Sequence, residues 1–453
     1  MAQHRAEIAV IGAGIAGIAT AYYLAEQNGE SDVIIVDPLQ AMSFTSSQSG
    51  ENYRNWWPQS TMVDFTNHST GLMERIARDS DNRIQMTRRG YALATRMDDI
   101  DELITQLYSG YANNADSMIR VHSKVSPANY QPPLSSDWKS APDGVDVLRN
   151  RELIRRTFPA FSTEVANVLH IRRAGDISGQ QLGQYMLEVI RSRGGKLLRG
   201  KVIGIERKGA FQLRLDNGEI IHAEGLVNAA GPFVGDIAAM LDVSLPVHNV
   251  LQQKIAFVDR AKVVTRDLPF SVDMDARTLD WTDEEREVLA EDPQTAWLTR
   301  PIHGGIHCRP DGGDHGSWIK LGWAFNHQAC EAGWEPELDS YFPDIVLRGA
   351  SALHPALMTY YGRLPANTYH YGGYYTMTEE NWPVIGPMGV DGSFIVGALS
   401  GFGTMAACAA GSLCASWISG SSLPDYAGDL SLDRYQDEAL MTNLQNSSNR
   451  GIL

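Results

Sequence analysis

The residues from Glu7 to Asp37 constrain this chain more than any other stretch. "EIAVIG" is a short apolar run. "AGIAGIATAYYLAEQN" follows with helical periodicity and small residues early, and "DVIIVD" is a second apolar run that ends in an acid. Gly12, Gly14 and Gly17 thus make G-x-G-x-x-G at a strand-to-helix junction, and Asp37 stands twenty residues past Gly17. Gly12 permits a tight turn, Gly14 lets a pyrophosphate reach the backbone, and Gly17 lets helix and strand pack closely. The helix start then faces the phosphates with free N–H groups. The Asp37 carboxylate suits the ribose hydroxyls and would repel a 2′-phosphate. Short, wholly apolar strands point to a parallel sheet covered on both faces. A lone G-x-G-x-x-G is a weak signal, and its context of strand, helix and acid carries it.

The 453 residues suffice for two or three domains around a large core. A net charge of −16 without long blocks of one sign argues against nucleic acid or an anionic membrane as partner. No run of about 18 wholly apolar residues is visible, so no membrane span is expected. "MAQHRAEIAVIG" lacks the pattern of a secretory leader, so the expected location is cytoplasmic. Cys308, Cys330, Cys408 and Cys414 form no C-x-x-C pair, and no disulfide is expected. His303 and His307 are four apart but in a Gly-Gly turn context, and no metal site is expected. Ser317 and Lys320 match S-x-x-K by letter, but that nucleophile motif needs its serine at a helix start and this segment is strand-like.

Two later segments bear on which dinucleotide binds. "LVNAAGPFVGDI" (226–237) returns an apolar strand to an Ala-Ala-Gly turn. "VGALSGFGTMAACAAG" (396–411) places Gly401 and Gly403 at the start of another helix. A second helix N-terminus aimed at a cofactor suits an isoalloxazine, whose N1–C2 edge becomes anionic on reduction. The same glycines also suit a buried helix that packs closely.

The order of these segments resembles the D-amino-acid-oxidase-like flavoprotein superfamily, and within it the sarcosine oxidase and glycine oxidase group. The resemblance covers nearly the whole chain. It rests on "VIGAGIAGIATAYYLAE", "RRAGDISGQQL", "LVNAAG", "YYTMTEENWPVIGP" and "GALSGFGT". It implies an α/β fold with a Rossmann-type FAD-binding domain built from discontinuous segments, plus a substrate domain with a mixed, largely antiparallel sheet. The implied activity is oxidation of an amine or amino acid at a C–N bond, by hydride transfer to flavin N5, with O2 as acceptor. The implied FAD contacts are Gly12, Gly14, Gly17, Asp37, Ser46, Ser47, Gly50, Val202, Ala230, Gly231, Gly401, Phe402, Gly403 and Thr404.

Three positions sharpen the resemblance. "IKLGW" is similar to the K-L-G-Y segment of sarcosine oxidases, so Lys320 inherits the role of the lysine that promotes the reaction with oxygen. Alternation sets Trp318, Lys320 and Gly322 on one strand face and Ile319, Leu321 and Trp323 on the other. For Lys320 the expected partners are water and the flavin, without a carboxylate. Gly373 falls where sarcosine oxidases carry the cysteine bonded to flavin, so the FAD is expected to be non-covalent. Trp56 and Met405 fall where those enzymes hold the substrate carboxylate with arginine and lysine, and Arg54 lies nearby out of register. Tyr53, Arg54, Trp56 and Met405 are the expected substrate-pocket residues, with Trp57 a further candidate wall for an ammonium group.

The expected FAD-binding segments are 1–95, 165–245 and 371–425, the expected substrate-domain segments 96–164 and 246–370, and 426–453 a tail. "SSLPDYAGDL" reads as an extended strap. A helix is expected from about Met62 to Asp79, and an Asn-Gly hairpin turn at Asn217 and Gly218. Two other readings stay open: a dehydrogenase of the same fold acting on a 2-hydroxy acid or amine with a carrier as acceptor, and a flavin-fold subunit or assembly factor without turnover. Substrate and oligomeric state are not legible.

Overall fold

The computed structural model describes residues 2–446 apart from 28, 30, 31, 127, 128 and 134–137. The stretch "YQPPLSSDWKSAPDG" (130–144) reads in sequence as a polar loop; part of it, and the last residues of the tail, lie outside the described residues. Among the described residues the strands form an eight-stranded sheet, a ten-stranded sheet and one short pair.

The first apolar run becomes the strand Gln3–Ile11, parallel to Val33–Asp37 on one side and to Ile220–Asn228 on the other. Lys196–Arg199 extends this sheet in parallel, and Ser393–Gly397 runs parallel to the end of Ile220–Asn228. The antiparallel hairpin Val202–Lys208 and Ala210–Leu215 joins the other half of Ile220–Asn228. The Asn-Gly turn lies between Ala210–Leu215 and Ile220–Asn228, with Gly218 at φ +84°. The helices Ile15–Gln27 and Gly403–Ser419 pack on each other through small residues, and Ser60–Asp79 packs on the latter. Ser400–Ser419 is long and apolar enough, by length and composition alone, to cross a membrane, because Ala, Cys and Gly make it apolar without a conspicuous run of large residues. It is mostly buried, as the core helix of a folded domain.

The ten-stranded sheet is mixed and mostly antiparallel. Its order runs Ala329–Cys330, His248–Val258, Trp318–Gly322, Ile306–Asp311, Phe270–Asp273, Tyr91–Thr95, Asn167–Ile171, Val145–Leu148 and Ile119–His122. Tyr369–Met377 also pairs along His248–Val258. Three strands from the segments read in sequence as FAD-binding lie wholly or partly in this sheet. Tyr91–Thr95 and Asn167–Ile171 pair with each other, and Tyr369–Met377 extends past residue 371, all in this sheet rather than with the G-x-G-x-x-G strand. Tyr91–Thr95 and Asn167–Ile171 are buried throughout, so their sequence carries no signal of which sheet they join.

The alternation expected in "SWIKLGW" holds. Ile319, Leu321 and Trp323 share a core with Ile255, Phe257 and the helix Phe342–Ser351. Lys320 and Gly322 lie on the opposite face, together with Lys254, His307 and Arg309 from neighbouring strands. This face looks toward the first sheet: Tyr91 and Phe270 from it share a core with the helices Ile15–Gln27 and Gly403–Ser419.

The tail is not an extended strap. Tyr426 packs edge-on against Phe65, Arg434 is buried against Glu380, and Glu438–Asn446 is a helix. Apolar anchors and one buried ion pair fold it back where its polar composition suggested an open strand.

Burial holds three histidines neutral. His170, assisted by the charge of Arg172, falls to about 3; His307, assisted by Lys254, to about 3; His354 to about 4. The unfolded chain binds these protons near pH 6.5 and the folded chain only near 3–4. Stability is therefore complete above about pH 6.5 and falls steadily as pH drops toward 4. Denaturant midpoints across that range should decline, and His354→Gln should flatten the decline. An unchanged slope in that variant contradicts the assignment.

Candidate functional site

The G-x-G-x-x-G turn is built as its spacing requires. Gly12 has φ +109°, and a Cβ there would overlap the Ala229 carbonyl; one on Gly17 would overlap the Gly12 carbonyl. Gly14 differs: an added Cβ would meet only the Ser46 Oγ, at 3.1 Å. Two of the glycines thus serve the fold, and the third leaves room for a ligand. Asp37 Oδ2 accepts from the Ala13 N–H at 2.7 Å and Oδ1 from the Leu39 N–H at 2.7 Å. Burial raises its pKa, and these two bonds oppose the rise. Asp37 therefore organises the turn, and each of its carboxylate oxygens keeps a second lone pair.

A cavity of about 310 Å³ opens here, lined among others by Gly12, Gly14, Asp37, Ser46, Val202, Ala230 and Gly231. Its mouth is framed by an aromatic group that sequence reading missed. The Phe233 ring stacks on Trp334 at 4.4 Å, and Phe44 lies 5.1 Å from Trp334. Trp334 comes from the loop after Ala329–Cys330, so the second domain closes over the first domain's cleft. Nothing local in "EAGWEP" signals that long-range contact.

A smaller slot of about 70 Å³ lies beside it at the seam of the two sheets, with Thr45 and Ser46 in the lining of both. Thr45, Ser46, Gln48, Ser49, Gly50, Gly401, Gly403 and Thr404 line one side, and Lys254, Gly373 and Tyr375 the other. The helix Gly403–Ser419 begins here with no side-chain cap on its N–H groups. Its Thr404 hydroxyl donates to Ser49 Oγ at 2.8 Å. Thr45 Oγ1 and Gln48 Oε1 are buried without a hydrogen-bond partner. Ala398 and Ser400 hold left-handed φ of 54° and 45°, strain concentrated on the turn that aims this helix. Uncapped N–H groups and buried polar atoms without partners are what a slot for a polar planar ring requires.

Three expected cofactor contacts, Gly17, Ser47 and Phe402, do not line these cavities, Gly17 because it packs against the Gly12 carbonyl. Ser47 is on the outer side of its short helical turn, and its hydroxyl donates to the Ser43 and Phe44 carbonyls. The Phe402 side chain turns into the core against Trp57, with ring centroids 5.0 Å apart. The four expected substrate-pocket residues are likewise absent from the slot lining. Tyr53 is buried, its hydroxyl donating to the Thr87 carbonyl at 2.5 Å. Arg54 stacks on Trp57 at 4.5 Å and near Tyr91 at 5.7 Å, and burial lowers its pKa to about 10. The Trp56 indole abuts Gly110, and Met405 is buried in its helix with its carbonyl accepting from Ser69. The loop's aromatics anchor it on the core, where the "NYRNWW" composition had suggested pocket walls.

Lys320 is partnered, contrary to expectation. Its ammonium donates to Glu51 Oε2 at 2.9 Å and lies 3.3 Å from Asp311 Oδ1. Glu51 holds φ +60° and also accepts from the Gly179 N–H at 3.0 Å. Arg309 donates from Nε to the Gly50 carbonyl at 3.0 Å and lies 3.4 Å from Glu51. Glu51 thus clamps the Ser49–Gly50 loop to the second sheet and to the helix Gly179–Ser192.

Residues 7–417 match the FAD dependent oxidoreductase (DAO) family. The chain belongs to this family. Its fold is similar to glycine oxidase from Geobacillus kaustophilus (TM-score 0.69, 16% identity, 95% of this chain and 98% of that one). It is also similar to L-proline dehydrogenase from P. horikoshii (TM-score 0.72, 17% identity, 96% and 99%). Hydrogen cyanide synthase subunit HcnC from Pseudomonas aeruginosa is 33% identical over 94 residues, 20% of this chain and 22% of that subunit.

FAD is the family's cofactor, and the residues present fit it. The larger cavity with Gly14 and Asp37 would take the ADP part, and the slot under the Gly403–Ser419 N-terminus the ring. A Cβ on Gly373 would meet the side chains of Gln48 and Thr45, and among the described residues no sulfur lines the slot. Cys308, Cys408 and Cys414 are buried, and burial raises each thiol's pKa. Acid precipitation of the holoprotein should release the yellow colour into the supernatant. Colour kept in the pellet would show a covalent link.

Proposed function

We propose that this protein oxidises an amine or amino acid at a C–N bond, with FAD held non-covalently and O2 as electron acceptor. The observation that carries this reading is the composition of the seam slot. A polar, glycine-rich wall with an uncapped helix start faces a sheet that presents Lys254 and Tyr375, and no Asp or Glu lines the space among the described residues. Bound FAD supplies the hydride acceptor. The chain supplies position and exclusion of water, which suits a neutral amine that needs no dedicated base. His307, on the same sheet face, is neutral and turns Nδ1 to the Gly305 carbonyl at 3.1 Å, so it adds no second charge.

A dehydrogenase that passes electrons to a carrier is the second reading, and one observation favours it. The oxygen-promoting role implied for Lys320 depends on an uncompensated positive charge close to where superoxide forms. Glu51 and Asp311 compensate that charge. Mixing the yellow protein with a panel of amines and amino acids without air, then admitting air, separates the readings. Bleaching reversed by air supports the oxidase. Bleaching that persists in air and is reversed by an artificial acceptor supports the dehydrogenase. No bleaching by any amine or amino acid contradicts the oxidase and leaves, of the dehydrogenase readings, only one that acts on a 2-hydroxy acid.

A further inference from the structure

We infer that Lys254 binds the carboxylate of the substrate, which makes an amino acid rather than a simple amine the substrate class; this rests on the reading of the slot given above. Lys254 and Lys320 lie on adjacent strands and point to the same side, but their surroundings differ. Lys320 has two carboxylates within 3.3 Å. Lys254 is only 7% exposed and forms neither salt bridge nor hydrogen bond among the described residues. Its ammonium lies 5.5 Å over the Tyr375 ring, and its side chain lines the slot together with Gly50 and Gly403. Its cross-strand partner is Gly322, beyond which stands His307, so the neighbouring positions offer no acid.

A buried ammonium without an anion is costly, and a cation–π contact offsets only part of that cost. An anionic group entering the slot recovers the rest through a charge-assisted hydrogen bond. With FAD bound, the polar groups of the opposite wall would serve the cofactor, which leaves the substrate as the source of the anion. The positions where related oxidases hold a carboxylate are Trp56 and Met405 here, both packed in the core, so this chain needs its anchor elsewhere. Lys254 reaches the slot from the sheet side and supplies it.

The test uses the FAD-loaded protein and monocarboxylates from acetate to benzoate, each beside its uncharged amide, with binding read by calorimetry and by shifts of the flavin absorption bands. Wild type should bind at least one carboxylate tighter than its amide. Lys254→Met should keep its FAD and weaken that carboxylate at least tenfold, the size of one lost hydrogen bond to a charged group. Amide binding should stay within about threefold, and Lys254→Arg should recover part of the loss. Undiminished carboxylate binding in Lys254→Met overturns the inference, as does a wild type that prefers the amides. If simple amines bleach the flavin while no carboxylate binds, the inference fails and the oxidase reading stands. If carboxylates bind through Lys254 but no amine or amino acid bleaches the flavin, the reverse holds.

Discussion

Gly14→Val should fold and purify colourless. The three glycines of the turn look alike in sequence, but the structure separates them. A side chain at Gly12 or Gly17 would strike backbone carbonyls and cannot be placed without moving a strand. A Cβ at Gly14 meets only the Ser46 hydroxyl, at 3.1 Å, and that hydroxyl need give only a few tenths of an ångström while it still accepts from the Ile15 N–H. Its remaining branches enter the cavity where the pyrophosphate belongs. We expect FAD content below about a tenth of wild type, because losing close approach to the phosphates removes several charge-assisted bonds of roughly 1.5–3 kcal/mol each. The circular dichroism of Gly14→Val should match that of wild-type apoprotein, while Gly12→Val should be largely insoluble. Stoichiometric FAD in Gly14→Val would mean that the dinucleotide lies elsewhere.

Glu51→Gln should be more damaging than Lys320→Met. Glu51 joins three elements: the Gly50 loop, the helix start at Gly179 and the pair Arg309 and Lys320. The amide keeps the shape but loses the charge, which leaves two cations of the second sheet sharing Asp311. Breaking a buried pair on one side costs about 3–5 kcal/mol; with Glu51 one-fifth exposed, about 2–3 kcal/mol is the fitting figure. The left-handed φ at Glu51 then lacks part of what holds it, so the loop relaxes and FAD affinity should fall at least tenfold. Lys320→Met leaves Glu51 with Arg309 and the Gly179 N–H, and its loss of FAD affinity should stay within about threefold. Fluorescence titration of apoprotein with FAD and denaturant midpoints check both variants. Equal effects, or a larger one in Lys320→Met, would contradict the clamp.

Sequence reached the dinucleotide turn, Asp37 and the second helix start because these depend on neighbours within a few residues: φ at Gly12, a tight helix contact at Gly17, a strand end at Asp37. It also placed Lys320 on the correct face of its strand. It gave Lys320 the wrong partners because Glu51 and Asp311 reach it from a distant loop and an adjacent strand. Lys254 escaped notice for a related reason. In "LQQKIAFV" it reads as a solvated lysine on a half-buried strand, and only the packing of the first domain over that face buries it. Sequence grouped Tyr91–Thr95 and Asn167–Ile171 with the dinucleotide turn because strands buried on both faces look the same in either sheet.

Anaerobic titration of the holoprotein with an amino acid that bleaches it, with the products identified, reports directly on whether an amine is oxidised at the seam slot by bound FAD. One equivalent of substrate should bleach one FAD and yield the imine or, after hydrolysis, the matching carbonyl compound and amine or ammonia. Lys254→Met should require a higher substrate concentration to reach the same end point. Bleaching by a 2-hydroxy acid with no response to any amine or amino acid would contradict amine oxidation at the slot.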